Sequence, residues 1–183
     1  MTDTAAVPRA RIYLNRSEVA ATIGVHPQTL YMWSCEGAMM PGDIKIGMAP
    51  TSRPLYGWTH ERAMAFGAWI GALTDSGTPT GATGLPRPQP DADGRWPDFW
   101  HVTTTSYLSR SDLHLVWGVK KASVSVRSYR GSLPEAAVET GTTSGHGIVT
   151  GYSVEEVLRF TRQSERLDLA CHPDDLGEVI EPA

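Results

Sequence analysis

The side chains with chemistry to offer in this sequence are hydrogen-bonding and cationic rather than catalytic. His26, Gln28, Thr29, Tyr31 and Met32 crowd into one short stretch. An amide such as Gln28 can pair with adenine, and Thr29 and Met32 can touch a thymine methyl. Further along, Lys120, Lys121, Ser123, Ser125 and Arg127 form a second run, richer in charge and suited to phosphate oxygens. Arg16, Arg53 and Arg110 are further candidates for phosphate clamps. Arg53 is equally compatible with an ordinary solvated surface, whereas Arg16 and Arg110, which recur at the same place before each first helix, fit that reading less well.

No arrangement of acids, bases and nucleophiles suggests an enzyme. The stretch Gly141-Thr142-Thr143-Ser144-Gly145-His146-Gly147 lacks the lysine of a phosphate-binding loop. Asp174 and Asp175 stand together near the C-terminus without partners. Cys35 and Cys171 are the only thiols and have no Cys/His ligand spacing, and His114 and His146 are likewise isolated, so neither metal nor cofactor is expected. Trp33, Trp58, Trp69 and Trp117 read as packing residues rather than base-stacking platforms.

The first run needs a helix to present it. Ser17 is a candidate N-cap, and Val19 and Ile23 fall on one face of a short helix after it. Gly24 ends that helix with a residue that tolerates a left-handed backbone, and Pro27 suits the first turn of the next. With Leu30 and Trp33 inward, the reading groups face outward. Two β-prone runs come next, Asp43–Ile46 and Pro54–Trp58, a candidate hairpin or wing; Thr59 then caps a third helix from His60 to about Ala72, with Ala63, Phe66, Ala68 and Ile70 as core candidates.

The second run is set in the same frame, because the chain repeats itself. A shift of 94 positions lays Tyr13–Val19 on Tyr107–Leu113 and Gly24-Val25 on Gly118-Val119. The same shift lays Gly57-Trp58-Thr59 on Gly151-Tyr152-Ser153 and Phe66 on Phe160, without a gap. Ser111 becomes the second N-cap, Gly141–Gly147 the second wing loop, and Ser153 the cap of a helix reaching about Leu167, with Val154, Val157, Leu158 and Phe160 apolar. The expected organisation is an arm at 1–10, a first copy at 11–73, a Pro/Gly-rich linker at 74–98, a second copy at 99–168 and an acidic tail at 169–183. The expected fold is mainly α with small β wings, as two tandem winged helix-turn-helix domains on a flexible linker.

Composition agrees with a globular chain: 40% of residues are hydrophobic and 20% charged. Apolar stretches fall far short of the ~20 residues of a membrane span, and Met1–Val7 does not resemble a secretory leader, so the cytosol is the expected location. A net charge of −4 disfavours a protein that coats nucleic acid indiscriminately. Charge is uneven, however: Arg110, Lys120, Lys121, Arg127 and Arg130 cluster against Asp112 alone.

The segment Leu14–Trp33, with its Glu18-Val19-Ala20, its Gly24-Val25 turn, its Pro27-Gln28-Thr29-Leu30 helix start and Trp33, resembles the MerR-like and excisionase-like winged helix-turn-helix family. Ile44–Gly47 and Leu55–Trp58 are similar to the wing of small actinobacterial phage excisionase-type proteins. The second copy departs from the pattern, with Lys121 at the place of Pro27, Ala122 at that of Gln28 and Arg127 at that of Trp33. The resemblance implies sequence-specific binding to double-stranded DNA, as a phage or mobile-element repressor or excision factor. With unequal copies the expected site is asymmetric or a direct repeat. Such a role would place the protein at the nucleoid, with a recombinase or further copies of the chain as additional partners. A plasmid partition or replication protein is an alternative within DNA binding, and a protein–protein adaptor is one outside it.

Overall fold

The computed structural model describes residues 10–50, 53–141 and 147–177. Each repeat supplies three strands and three helices in the same order. The first gives β1 (Arg11–Tyr13), α1 (Arg16–Ile23), α2 (Pro27–Cys35), β2 (Ile44–Ile46), β3 (Leu55–Gly57) and α3 (His60–Trp69). The second gives β4 (Thr105–Tyr107), α4 (Leu113–Val116), α5 (Lys121–Tyr129), β5 (Val138–Thr140), β6 (Val149–Gly151) and α6 (Val154–Gln163).

The strands do not stay within their own repeats. β2 and β3 form the antiparallel hairpin, but β2 is flanked on its other side by β4 of the second repeat, in parallel; reciprocally, β5 pairs with β6 and, in parallel, with β1 of the first. Two mixed three-stranded sheets result, β3-β2-β4 and β1-β5-β6. The expectation of a mainly α chain built from two separate winged helix-turn-helix domains is therefore corrected. The fold is mixed α/β, and each presumed wing is part of a sheet completed by the other repeat. A wing projects into solvent, whereas Ile44, Ile46 and Val138 are each 1% exposed.

These three side chains are the centre of an apolar layer shared by the repeats, joined by Tyr13, Tyr107, Ala137 and Val149. Two glycines set how closely the sheets approach. A Cβ on Gly57 would lie 2.8 Å from both the Tyr13 Cβ and the Thr140 Cγ2 of the opposite sheet. One on Gly151, the equivalent position, would lie 2.9 Å from the Tyr107 Cβ. Any side chain larger than hydrogen at these positions forces the sheets apart.

Each repeat also has a core of its own. In the first, Val19, Ile23, Leu30, Trp33, Trp58 and Phe66 pack together. The Trp58 Nε1 donates to the carbonyls of Met40 and Pro41 at 3.2 and 3.0 Å, which satisfies its one polar atom. In the second, Leu108, Leu113, Val116, Trp117, Val124, Tyr152 and Val157 do the same work. The chain after α6 turns back onto this core through Leu167 and Leu176.

Segment 74–97 carries no helix or strand and ends at a single 3-10 turn, Asp98–Trp100, but it is fastened to the first repeat. Leu85 and Trp96 pack on its core, and the Arg87 Nη2 donates to the Glu36 carbonyl at 2.9 Å. Trp96 stacks on Trp100 with ring centroids 3.9 Å apart. Asp43 ties the hairpin to α3: its carboxylate accepts from the Thr59 amide and from Arg62, both at 2.8 Å, and the Arg62 Nη2 donates in turn to the Phe99 carbonyl at 2.7 Å.

Helix caps also differ from expectation. Asn15, not Ser17, caps α1: its side chain accepts from the Glu18 amide while the Glu18 carboxylate accepts from the Asn15 amide, a reciprocal capping box. Arg16 is thus the first residue of α1 rather than a residue before it. Ser109 and Asp112, the equivalent pair, exchange the same two bonds at 3.2 and 2.7 Å, but α4 begins only after Asp112, which stands at its cap position in place of Ser111 and makes no side-chain capping bond. Asp112 does more. Fully buried, its carboxylate also accepts from the amides of Met48 and Ala49, at 2.9 and 3.3 Å, in the loop after β2 of the first repeat.

Asp112→Ala leaves the buried Ala49 amide and the half-buried Met48 and Ser109 amides without this acceptor. It is expected to cost about 3 kcal/mol or more of unfolding free energy, whereas exposed Glu155→Ala should stay within about 0.5 kcal/mol; chemical denaturation measures both. Gly57→Ala and Gly151→Ala should each destabilise by about 1–3 kcal/mol, and a change near zero for either would mean that the sheets are not in contact there.

Candidate nucleic-acid interface

α2 packs against α1 and the core of the first repeat through its inward residues. Leu30 is fully buried and Trp33 nearly so, with the Trp33 and Phe66 rings edge to face at 6.3 Å. Gly24 makes the turn between the helices with φ +71, and Gly118 repeats it with φ +59. His26 caps α2, its Nδ1 accepting from the Gln28 amide at 3.2 Å. Gln28, Tyr31 and Met32 are exposed and Thr29 half-buried. In α5, Val124 takes the place of Leu30 and is buried. Lys120 is the cap residue, Lys121, Ser123 and Ser125 are exposed, and Arg127 is half-buried.

Exposure of apolar surface marks these helices. Of the ten large apolar side chains that are exposed among the described residues, Tyr31 and Met32 lie on α2 and Val126 and Tyr129 on α5. Met32 and Val126, at equivalent positions, are each 48% exposed, and Tyr129 is 94% exposed.

The cations are arranged around both helices. The Arg16 guanidinium lies 4.8 Å from the centre of the Tyr31 ring, a cation–π contact that holds it beside α2. Arg16 and Arg53 line one open cavity of about 840 Å³ that also takes in Ser34, Tyr56, and Gly147 and Val149 of the other repeat. Arg110 leans the same way, its Nη1 donating weakly to the Ser128 Oγ at 3.5 Å.

Beside α5 the arrangement is denser. Arg127, Arg130 and Arg166 line one open cleft of about 520 Å³, with Ser123, Val126 and Ser132. Among the described residues none of these three guanidinium groups has a carboxylate within ion-pair distance. Three cations in one concavity with hydroxyls alongside fit a phosphate oxyanion. Sequence reasoning did not include Arg130 and Arg166 among the contact residues. Arg130 could have been found, since it stands one helical turn after Arg127. Arg166 could not, because it comes to the cleft only through the return of the chain after α6.

The remaining candidates for chemistry stay apart. Among the described residues no group of three or more His, Cys, Asp or Glu side chains is placed to hold a metal. His146 and the second presumed wing loop, residues 142–146, lie outside the described residues. Trp33, Trp58 and Trp117 are buried in the cores, the last with its Nε1 donating to the Thr161 Oγ1 at 2.8 Å. Trp69 is 38% exposed and packs edge to face on Phe99 and Trp100. No helix among the described residues is long and apolar enough to cross a membrane.

The two thiols report on this geometry. Cys35 is exposed at the end of α2, whereas burial, followed by the nearby Asp175 charge, pushes the Cys171 thiol above its usual range. Iodoacetamide at mildly alkaline pH should modify Cys35 first, and Cys35→Ser should leave only slow labelling; equal rates at the two sites would contradict the packing around Cys171. Comparison of the chain with known protein families, with curated proteins and with solved structures finds no significant match.

Proposed function

We propose that the chain binds double-stranded DNA, with α2 and α5 as the elements that enter the major groove. The observation that carries this reading is the equivalent placement of the two helices in their repeats. In both repeats a short helix and a glycine turn lead into a helix whose inner side is locked by one buried aliphatic residue. Its outer side offers small polar and apolar groups flanked by arginines. Such a face matches base edges inside and phosphates at its borders.

The two faces divide the labour. Gln28, Thr29 and Met32 are groups that discriminate bases, with Arg16 and Arg53 beside them. On α5 the small Ala122, Ser123 and Val126 stand next to Lys120, Lys121, Arg127, Arg130 and Arg166, a balance that favours backbone phosphates. The negative net charge is no obstacle, because the potential that matters is local. The likeness to MerR-like and excisionase-like proteins points the same way, toward repression or excision on phage or mobile-element DNA.

Selection from a randomised duplex pool at ~100 mM salt, near physiological screening, tests the reading. The intact chain should enrich a defined motif, and Gln28→Ala/Thr29→Ala/Met32→Ala should lose part of it. With the selected duplex, Arg127→Gln/Arg130→Gln should flatten the dependence of log affinity on log salt by about 1 for each phosphate no longer neutralised. Failure to enrich any motif would overturn the proposal and favour a protein partner for the same faces.

A further inference from the structure

We infer that the DNA site of this chain is an inverted repeat with unequal halves, read by α2 on one half and α5 on the other. The inference rests on the DNA-binding reading above and adds the symmetry of the target.

The symmetry follows from the strand pairing alone. β1 pairs with β5 in the register Arg11↔Val138, Ile12↔Glu139, Tyr13↔Thr140. Shifting every residue to its equivalent in the other repeat turns this into Thr105↔Ile44, Ser106↔Lys45, Tyr107↔Ile46, which is the register observed between β4 and β2, also in parallel. The operation that carries the first repeat onto the second therefore carries the second back onto the first. An operation that returns to its start after two applications, with no net translation, is a twofold rotation.

Other paired features obey the same relation. The bridges Leu14↔Trp58 and Leu108↔Tyr152 are equivalents. Gly57 against Tyr13 and Gly151 against Tyr107 are equivalents across the layer between the sheets. The chain is an intramolecular counterpart of a symmetric dimer, held by reciprocal strand exchange instead of by association of two copies.

This constrains what two helices can read together. Half-sites of a direct repeat are related by a translation along the duplex coupled to a rotation about it. A twofold axis has no translation and cannot bring α2 and α5 onto such half-sites in the same manner. Half-sites of an inverted repeat are related by the local dyad of the duplex, which can coincide with the dyad of the protein. The halves differ in sequence because the reading groups differ: Gln28, Thr29 and Met32 against Ala122, Ser123 and Val126. A flexible tether would have left direct repeats open; the paired sheets do not.

The test is to make the two faces alike. Ala122, Ser123 and Val126 are all exposed, so Ala122→Gln/Ser123→Thr/Val126→Met transfers the α2 face to α5 without touching a core, and circular dichroism and thermal melting verify the fold. Pool selection is run on the intact chain and on this variant. The native chain should enrich two different half-motifs at fixed spacing. The variant should enrich a palindrome whose halves both match the native half-motif that disappears in Gln28→Ala/Thr29→Ala/Met32→Ala. Scrambling one half of the palindrome should weaken binding at least about tenfold, since tethered modules gain that much or more from joint engagement. Two copies of the half-motif in the same orientation, or one half-motif alone, would overturn the inverted arrangement while leaving DNA binding in place. No motif with the intact chain would remove both.

Discussion

The parallel pairing of β1 with β5 and of β4 with β2 is the constraint on which the rest of the molecule depends. Three-residue strands are too short to be stable as isolated hairpins. Each hairpin here gains a third strand from the opposite repeat, and the apolar faces of the two sheets then cover one another. Ile44, Ile46 and Val138 are buried only because the repeats supply each other's cover. The glycines at 57 and 151 set the distance, and Asp112 adds a polar clasp by holding backbone amides of the first repeat from a position in the second. Removing either repeat would expose the layer and break both sheets at once.

That arrangement also decides how rigidly the outer helices are related. α1 and α2 are packed on one core and α4 and α5 on another, and the cores are joined by sheets rather than by a tether. Segment 74–98 contributes by lying along the first repeat, with Arg87 on Glu36 and Trp96 stacked on Trp100. The relative position of α2 and α5 is a property of the packed interior. Specificity in such a molecule comes from geometry as well as from side chains, because any partner that engages both helices must present its contact points at the one separation and orientation that the fold permits.

Much of the local structure was legible in the residues. The shift of 94 positions identified equivalent elements, and the inward placement of Leu30 and Trp33 followed from helical spacing and apolar character. The choice of Asn15 over Ser17 as the cap was also readable, since Glu18 stands at the third helical position only from Asn15. The pairing of the strands was not readable. Arg11-Ile12-Tyr13 is too short to show a period, and nothing in it names a partner more than a hundred residues away. The hairpins look like wings because the two antiparallel strands are local, whereas the third strand that turns a wing into a sheet is contributed by the distant repeat. The arginine cleft beside α5 was half legible for the same reason: Arg127 and Arg130 are neighbours on a helix, and Arg166 joins them only in three dimensions.

The reciprocal exchange has a consequence for how the chain comes to be folded as it is made. β1 leaves the ribosome well ahead of its partner β5, which is not complete until Thr140 has been added. Throughout that interval the first repeat must wait with an open sheet edge and an uncovered apolar layer, a state prone to pairing with the wrong neighbour. Two nascent or partly unfolded chains at high concentration could satisfy one another's strands and lock into a swapped pair. Placing both halves on one polypeptide keeps the correct partner always nearby, so that the covalent link between the repeats acts as a guard against misassembly during biosynthesis.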